Sequence, residues 1–220
     1  LEAGVQIVAG DTKVVRQGEA DQIYLNTAGI GVLERPELRM SAVRPGDSVV
    51  LSGPIGNHTV HLLSIREGLG FESRVVSDCA PLNGMIDDVF AAVGDGVVRS
   101  MRDVTRGGLS AVLHEYAAKL GRAIRIDAAA LPVQHETRMA MDMLGIDPIN
   151  SANEGCVCLF VAPEATADVL RALRGHRYGT NATVIGQVCG DGGPAVEMRD
   201  VDGRVSLVEE LQGAELPRLC

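Results

Sequence analysis

The run Cys156-Val157-Cys158-Leu159-Phe160-Val161-Ala162 is the longest strongly apolar stretch in the chain. It falls well short of the roughly 18 residues a membrane span needs. Its β-branched and aromatic content, together with the polar turn before it, reads as a strand. Helical periodicity follows over residues 58–68, 82–92, 109–120, 136–143 and 165–173. Further strands are expected at 48–52, 124–126, 183–188 and 195–199, and near the start at 5–8 and 23–26. Turn signals stand at 44–47, 190–194 and 202–203. Helices and strands alternate without a strict βαβ repeat, so the expected class is α+β, a mixed sheet covered by helices. Three regions are expected: the end of one domain over 1–42, an α+β domain over 43–212, and an extended tail over 213–220, where Pro217 disfavours a helix. With Leu1 in place of an initiator Met and no signal-peptide pattern, the chain reads as a fragment.

Composition removes several function classes. Twenty Lys and Arg against 29 Asp and Glu leave a net charge of −9, which argues against an extended surface for nucleic-acid phosphates. Three Phe, three Tyr and no Trp leave few surfaces on which bases could stack. Five Cys, an odd number without C-x-x-C pairs, fit the reduced thiols of a cytoplasmic protein. Strand alternation sends Cys156 and Cys158 to one face, where they read as small hydrophobes. His58 and His61 have a spacing that could share a metal on a helix face, but no third ligand stands nearby, and zinc is not expected.

Three polar motifs carry the chemistry. Asp11, Thr12 and Lys13 follow Gly10 after an apolar segment. A carboxylate, a hydroxyl and an ammonium together suit a polyphosphate and its divalent metal, with Asp11 as the metal ligand; the same residues also suit a turn with solvated charges. Asp103, Thr105, Arg106, Gly107 and Gly108 form a charged, glycine-rich turn entering a helix. Free N–H groups there, with Arg106 beside them, would accept an anion; alternatively Thr105 is an ordinary N-cap. Asn153 and Glu154 precede the apolar strand, placing Glu154 where it could serve as a general base or simply belong to a turn.

Read in order, G-D-T-K-V-V (10–15), N-T-A-G-I-G (26–31), R-P-G-D-x-V-V-L-S-G-P-I-G (44–56), S-D-C-A-P-L (77–82), M-R-D-V-T-R-G-G-L (101–109), N-E-G (153–155) and terminal P-R-L-C (217–220) resemble the HypE family of hydrogenase maturation factors. These are carbamoyl dehydratases within the aminoimidazole ribonucleotide synthetase-like superfamily. The resemblance covers essentially the whole chain. It implies that a carbamoyltransferase, HypF, loads a carbamoyl group onto Cys220. ATP with Mg then activates the carboxamide oxygen, and dehydration leaves a thiocyanate whose nitrile passes to iron on a HypC–HypD scaffold. It further implies that Lys13 and Glu154 take part in catalysis, that Asp11, Thr12, Asp103, Thr105, Arg106, Gly107, Gly108 and Asn153 line the nucleotide site, and that residues 1–42 close an ATP-binding domain through which the family forms homodimers. The chain departs from the family at 56–59, where Gly-Asn-His-Thr replaces a common Gly-Asp-His-Gly; no chemistry is assigned to Asn57, His58 or Thr59. Two alternatives stay open. One is another reaction of the same superfamily, on selenophosphate, aminoimidazole ribonucleotide or thiamine phosphate. The other is a docking module that only presents a carrier tail.

Overall fold

The computed structural model describes residues 2–210, and the chain divides into two units between Glu37 and Leu38. The second unit carries one seven-stranded sheet: β1 (Ser48–Leu51), β2 (Val98–Asp103), β3 (Ile124–Asp127), β4 (Val157–Val161), β5 (Thr183–Val188), β6 (Val196–Arg199) and β7 (Val205–Leu207). The strand order is β2-β4-β1-β5-β3-β6-β7. Only the β3–β6 pair is parallel, so the sheet is mixed as expected. Among the described residues the unit also carries five α-helices: α1 (Asn57–Glu67), α2 (Asn83–Ala92), α3 (Gly108–Leu120), α4 (His135–Leu144) and α5 (Thr166–Gly175).

Every residue of β4 is buried. Alternation divides this strand between two cores. Cys158 and Phe160, with Cys156 just before the strand, join Val49 and Leu51 of β1 and pack under Leu109, Val112, Leu113 and Tyr116 of α3. Val157, Leu159 and Val161 join Val50 and pack under Met85 and Val89 of α2 and Val169 and Leu173 of α5. Covering a Leu or Phe in this way contributes about 1.5–3 kcal/mol per side chain, an upper figure because the unfolded chain also buries surface. Tyr116 stacks on Phe160 with ring centroids 4.0 Å apart, and its hydroxyl lies 2.6 Å from the Ser100 Oγ, so the buried phenol keeps a partner. A smaller cluster of Val60, Val75, Ala140 and Met141 joins α1 to α4.

Two strands lie outside the sequence expectation. The residues of the expected turn from Met101 to Asp103 form the end of β2. This strand is poor in β-branched residues, carries Arg99 and Arg102 as edge charges, and shifts register between Val98 and Ser100, all of which hide it from a pattern reading. β7 is only three residues long, and its whole length is exposed. In the first unit, residues 5–8 and 23–26 do not form the expected strands. A strand requires a ladder partner, and the described residues of that unit contain none; Ile7, Val8 and Leu25 remain exposed.

The buried thiols provide a check on the core. Burial pushes the Cys156 thiol up to about 12 and raises that of Cys158 as well. At pH 8 a thiol with such a pKa is about 10⁻⁴ thiolate, and the thiolate is the form that reacts. Maleimide labelling followed by peptide mass spectrometry is expected to modify exposed Cys79 within minutes and to leave Cys156, Cys158 and Cys189 unmodified until denaturant is added.

Candidate functional site

At one end of the sheet, the chain leaves β1 and β2 and enters β4. The ladder continues one step past the strands: the Val104 N–H donates to the Cys156 carbonyl, and the Ser52 N–H donates to the Val157 carbonyl. Ser52 also accepts the Val157 N–H on its hydroxyl at 2.9 Å. The loops at 52–56, 103–108 and 150–155 are therefore held side by side, bringing together Asp103, Thr105, Arg106, Gly107, Gly108, Asn153 and Glu154.

Asn153 joins these loops. Its Oδ1 accepts the Gly56 N–H at 2.8 Å, and its Nδ2 donates to the carbonyls of Val104 at 3.0 Å and Ser151 at 2.8 Å. The side chain is 1% exposed, with both donor hydrogens engaged inside the protein. The amide fastens one loop to another. Close by, the Thr59 hydroxyl donates to the Ala152 carbonyl and the Thr137 hydroxyl donates to Asn57 Oδ1. The departures at 57 and 59 are thus absorbed into packing.

The turn before α3 differs in detail from an ordinary capped helix. The Thr105 hydroxyl donates to Asp103 Oδ2 at 2.6 Å, and the N-cap is Gly107, which provides no side-chain cap. Gly107 and Gly108 both have positive φ, and a Cβ on Gly108 would lie 2.6 Å from the Ile149 carbonyl oxygen. Thr105 is therefore not the cap: its carbonyl accepts the Gly108 N–H at 2.9 Å, and the helix begins without a side-chain cap just after exposed Arg106.

Glu154 is half-buried, and among the described residues its carboxylate makes no hydrogen bond or ion pair. Its backbone is held from a distance. Asp78 accepts the Glu154 N–H on Oδ1 at 3.1 Å and the Gly155 N–H on Oδ2 at 3.0 Å. The Asp78 carbonyl occupies the space that a Cβ on residue 155 would fill, which requires glycine there. Asp78 was not singled out by its own chemistry in the sequence. Its only signal is membership of S-D-C-A-P-L, since its partners lie 76 and 77 residues away. His58 Nδ1 pairs with Ser77 Oγ and His61 Nδ1 with the Val75 carbonyl, so the two imidazoles fasten this same segment to α1.

Asp11, Thr12 and Lys13 belong to the first unit, where they are exposed and the Asp11 carboxylate accepts the Thr12 N–H. Cys220 lies outside the described residues.

Residues 44–199 match the family of AIR synthase related proteins, C-terminal domain. The chain belongs to that family. Among AIR synthase related proteins it is similar to the carbamoyl dehydratase HypE of Rhizobium leguminosarum bv. viciae, with 46% identity over 220 residues that make up 100% of this chain and 63% of the relative. Two solved structures share the fold. The hydrogenase maturation protein HypE in complex with ATP aligns at a TM-score of 0.78 and 34% identity, covering 84% of this chain and 56% of that one. The HypE–HypF complex aligns at 0.74 and 33%, covering 79% and 56%. The chain therefore spans somewhat under two thirds of the length of the curated relative. Among the described residues no helix is long and apolar enough to cross a membrane.

The overlap at residue 155 generates a stability test. Gly155→Ala is expected to cost about 2–3 kcal/mol, since both the Asp78 backbone and β4 resist displacement. In thermal unfolding this is a fall on the order of 5–10 °C. Gly193→Ala, at an exposed glycine with open space around it, is expected to leave the midpoint within about 2 °C.

Proposed function

We propose that the protein carrying this chain is an ATP-dependent carbamoyl dehydratase that converts a carbamoyl group on Cys220 to a thiocyanate. The observation that carries this reading is 46% identity, along all 220 residues, to a protein named carbamoyl dehydratase HypE. The chemistry is R–S–C(O)NH₂ plus ATP giving R–S–C≡N, ADP and phosphate. A carboxamide oxygen is a poor leaving group until it is phosphorylated, so the site must hold anionic phosphate, remove the two amide protons and exclude water.

This chain's residues divide those tasks. The open N-terminus of α3, with Gly107, Gly108 and Arg106, attracts phosphate, and Asp103 and Thr105 hold the turn in shape. Glu154, with its carboxylate unengaged, takes one proton from the carboxamide nitrogen as the oxygen is phosphorylated, and the second leaves with the departing phosphate. In the first unit taken by itself, Lys13, with Asp11 and Thr12 beside it in sequence, is the group suited to neutralising phosphate charge. Magnesium would come with the nucleotide, held by its phosphates and one or two carboxylates, and would supply charge neutralisation there, with Asp11 as the carboxylate this chain offers. Among the described residues no three His, Cys, Asp or Glu side chains gather into a site of their own, and no step is assigned to the metal.

In this reading residues 1–42 close an ATP-binding domain that pairs two copies as a homodimer, 43–212 form the α+β domain, and 213–220 form the carrier tail. HypF is the carbamoyl donor, a HypC–HypD scaffold receives the nitrile, and the setting is the cytoplasm. The existence of a solved HypE–HypF complex supports the first of these partners.

The test is intact mass spectrometry after incubation with the carbamoyltransferase, carbamoyl phosphate and ATP. A carbamoyl adduct on the C-terminal peptide that loses water when ATP is added, and that is absent in Cys220→Ala, is expected. No adduct, with the transferase active on a known acceptor, would overturn the reading. Glu154→Gln is expected to carry the adduct and lose the dehydration step.

A further inference from the structure

We infer that Asp78 is the positioning residue for Glu154, acting through the backbone rather than by touching substrate. The inference rests on the dehydratase reading, with Glu154 as its base. A general base must hold its carboxylate within a fraction of an ångström of the proton it removes, yet Glu154 stands in a loop with no ladder bonds of its own. Its side chain, unengaged among the described residues, contributes nothing to its own placement. Placement must come from the peptide groups on either side.

Both sides are fixed. Ahead of Glu154, the Asn153 N–H donates to the Val104 carbonyl at 3.1 Å, while the Asn153 amide bonds that same carbonyl and two further backbone groups, the Gly56 N–H and the Ser151 carbonyl. At and after Glu154, the two consecutive N–H groups of residues 154 and 155 both end on Asp78, one on each carboxylate oxygen. A carboxylate is the side chain suited to this, since it offers two acceptor oxygens and no donor. The fit of the Asp78 carbonyl into the space above Gly155, with the Ala80 Cβ 3.4 Å from that same point, prevents the two segments from sliding.

Asp78 is itself anchored. Ser77 Oγ accepts the Cys79 N–H at 3.1 Å and pairs with His58 Nδ1 at 2.9 Å, and His61 Nδ1 pairs with the Val75 carbonyl at 2.9 Å. With the Ser77 hydroxyl assigned as donor to His58, each of these groups has a complementary partner. A chain of contacts thus runs from α1 through residues 75–79 to the backbone of Glu154. Its terminal member is a carboxylate whose replacement by an amide keeps the shape but turns one acceptor into a donor facing an N–H.

The test compares Asp78→Asn with the unsubstituted protein. Cys220 is carbamoylated first, then saturating ATP is added, and loss of water is followed by quenched mass spectrometry. Dehydration is expected to slow roughly 10- to 100-fold, the range for a reacting group displaced by up to about 1 Å. The thermal midpoint is expected to fall by up to about 5 °C from the lost N–H bond, while the ATP concentration for half-maximal rate and the extent of carbamoylation stay close to those of the unsubstituted protein. A merely structural role would move those two together with the rate. Hydrogen exchange supplies a readout that needs no turnover: the amides of Glu154 and Gly155 are expected to exchange faster in Asp78→Asn, and that of Asn153 to stay unchanged. If the amide variant loses its fold, Asp78→Ser, whose hydroxyl accepts one N–H, carries the same comparison. An unsubstituted protein that fails to dehydrate carbamoylated Cys220 overturns the dehydratase reading, and the role of Asp78 with it. A competent unsubstituted protein beside an Asp78→Asn rate within twofold of it overturns the Asp78 assignment alone.

Discussion

Burial of β4 on both faces is the constraint from which the rest of the second unit follows. A strand whose alternate side chains enter two separate cores can lie only in the interior of a sheet with helices above and below it. Its position between β2 and β1 brings the chain leaving both neighbours to the end where the chain enters β4. The polar loops meet there because the strands do. The apolar cores and the polar mouth are therefore two results of one arrangement.

The polar mouth is held together by side chains bonded to backbone. Asn153, Asp78, Ser52 and Thr59 each bond to the main chain of a segment distant in sequence. Such bonds add only about 1 kcal/mol apiece to net stability, but leaving the buried backbone groups unpaired would cost more than making the bonds gains. Glu154 and Arg106 carry none of these bonds: among the described residues the Glu154 carboxylate is unengaged and Arg106 is exposed, while neighbours hold the loops from which they project.

Much of this was legible in the residues, and the rest was hidden for physical reasons. Helix periodicity located these five helices among the described residues to within two residues at either end; α2, α3 and α5 bury an apolar stripe, whereas α1 buries Asn57, Thr59 and Ser64 beside Val60. β4 announced itself by an unbroken apolar run. β2 did not, since an edge strand with arginines and a shifted register lacks the pattern of a buried one. In the first unit, apolar segments at 5–8 and 23–26 looked like strands, yet pattern alone cannot supply a ladder partner. The loop around Glu154 and the turn at 103–108 stood out by composition. Asp78 and the fastening role of Asn153 did not, because a carboxylate or an amide gives no sign in sequence of a partner 50 to 100 residues away.

The Asn153 amide has a consequence for the order in which the chain folds. One side chain ties residue 153 to Gly56, 97 positions earlier, and to Val104, 49 positions earlier. Contacts over such separations form only after loop-closure entropy has been offset by the pairing of β1, β2 and β4. The mouth therefore assembles only with or after the pairing of those three strands. A chain halted midway through folding holds helices and part of a sheet but has no assembled mouth, so a reactive group brought to it would find no competent site. Maturity of the fold and competence of the site are reached in the same step.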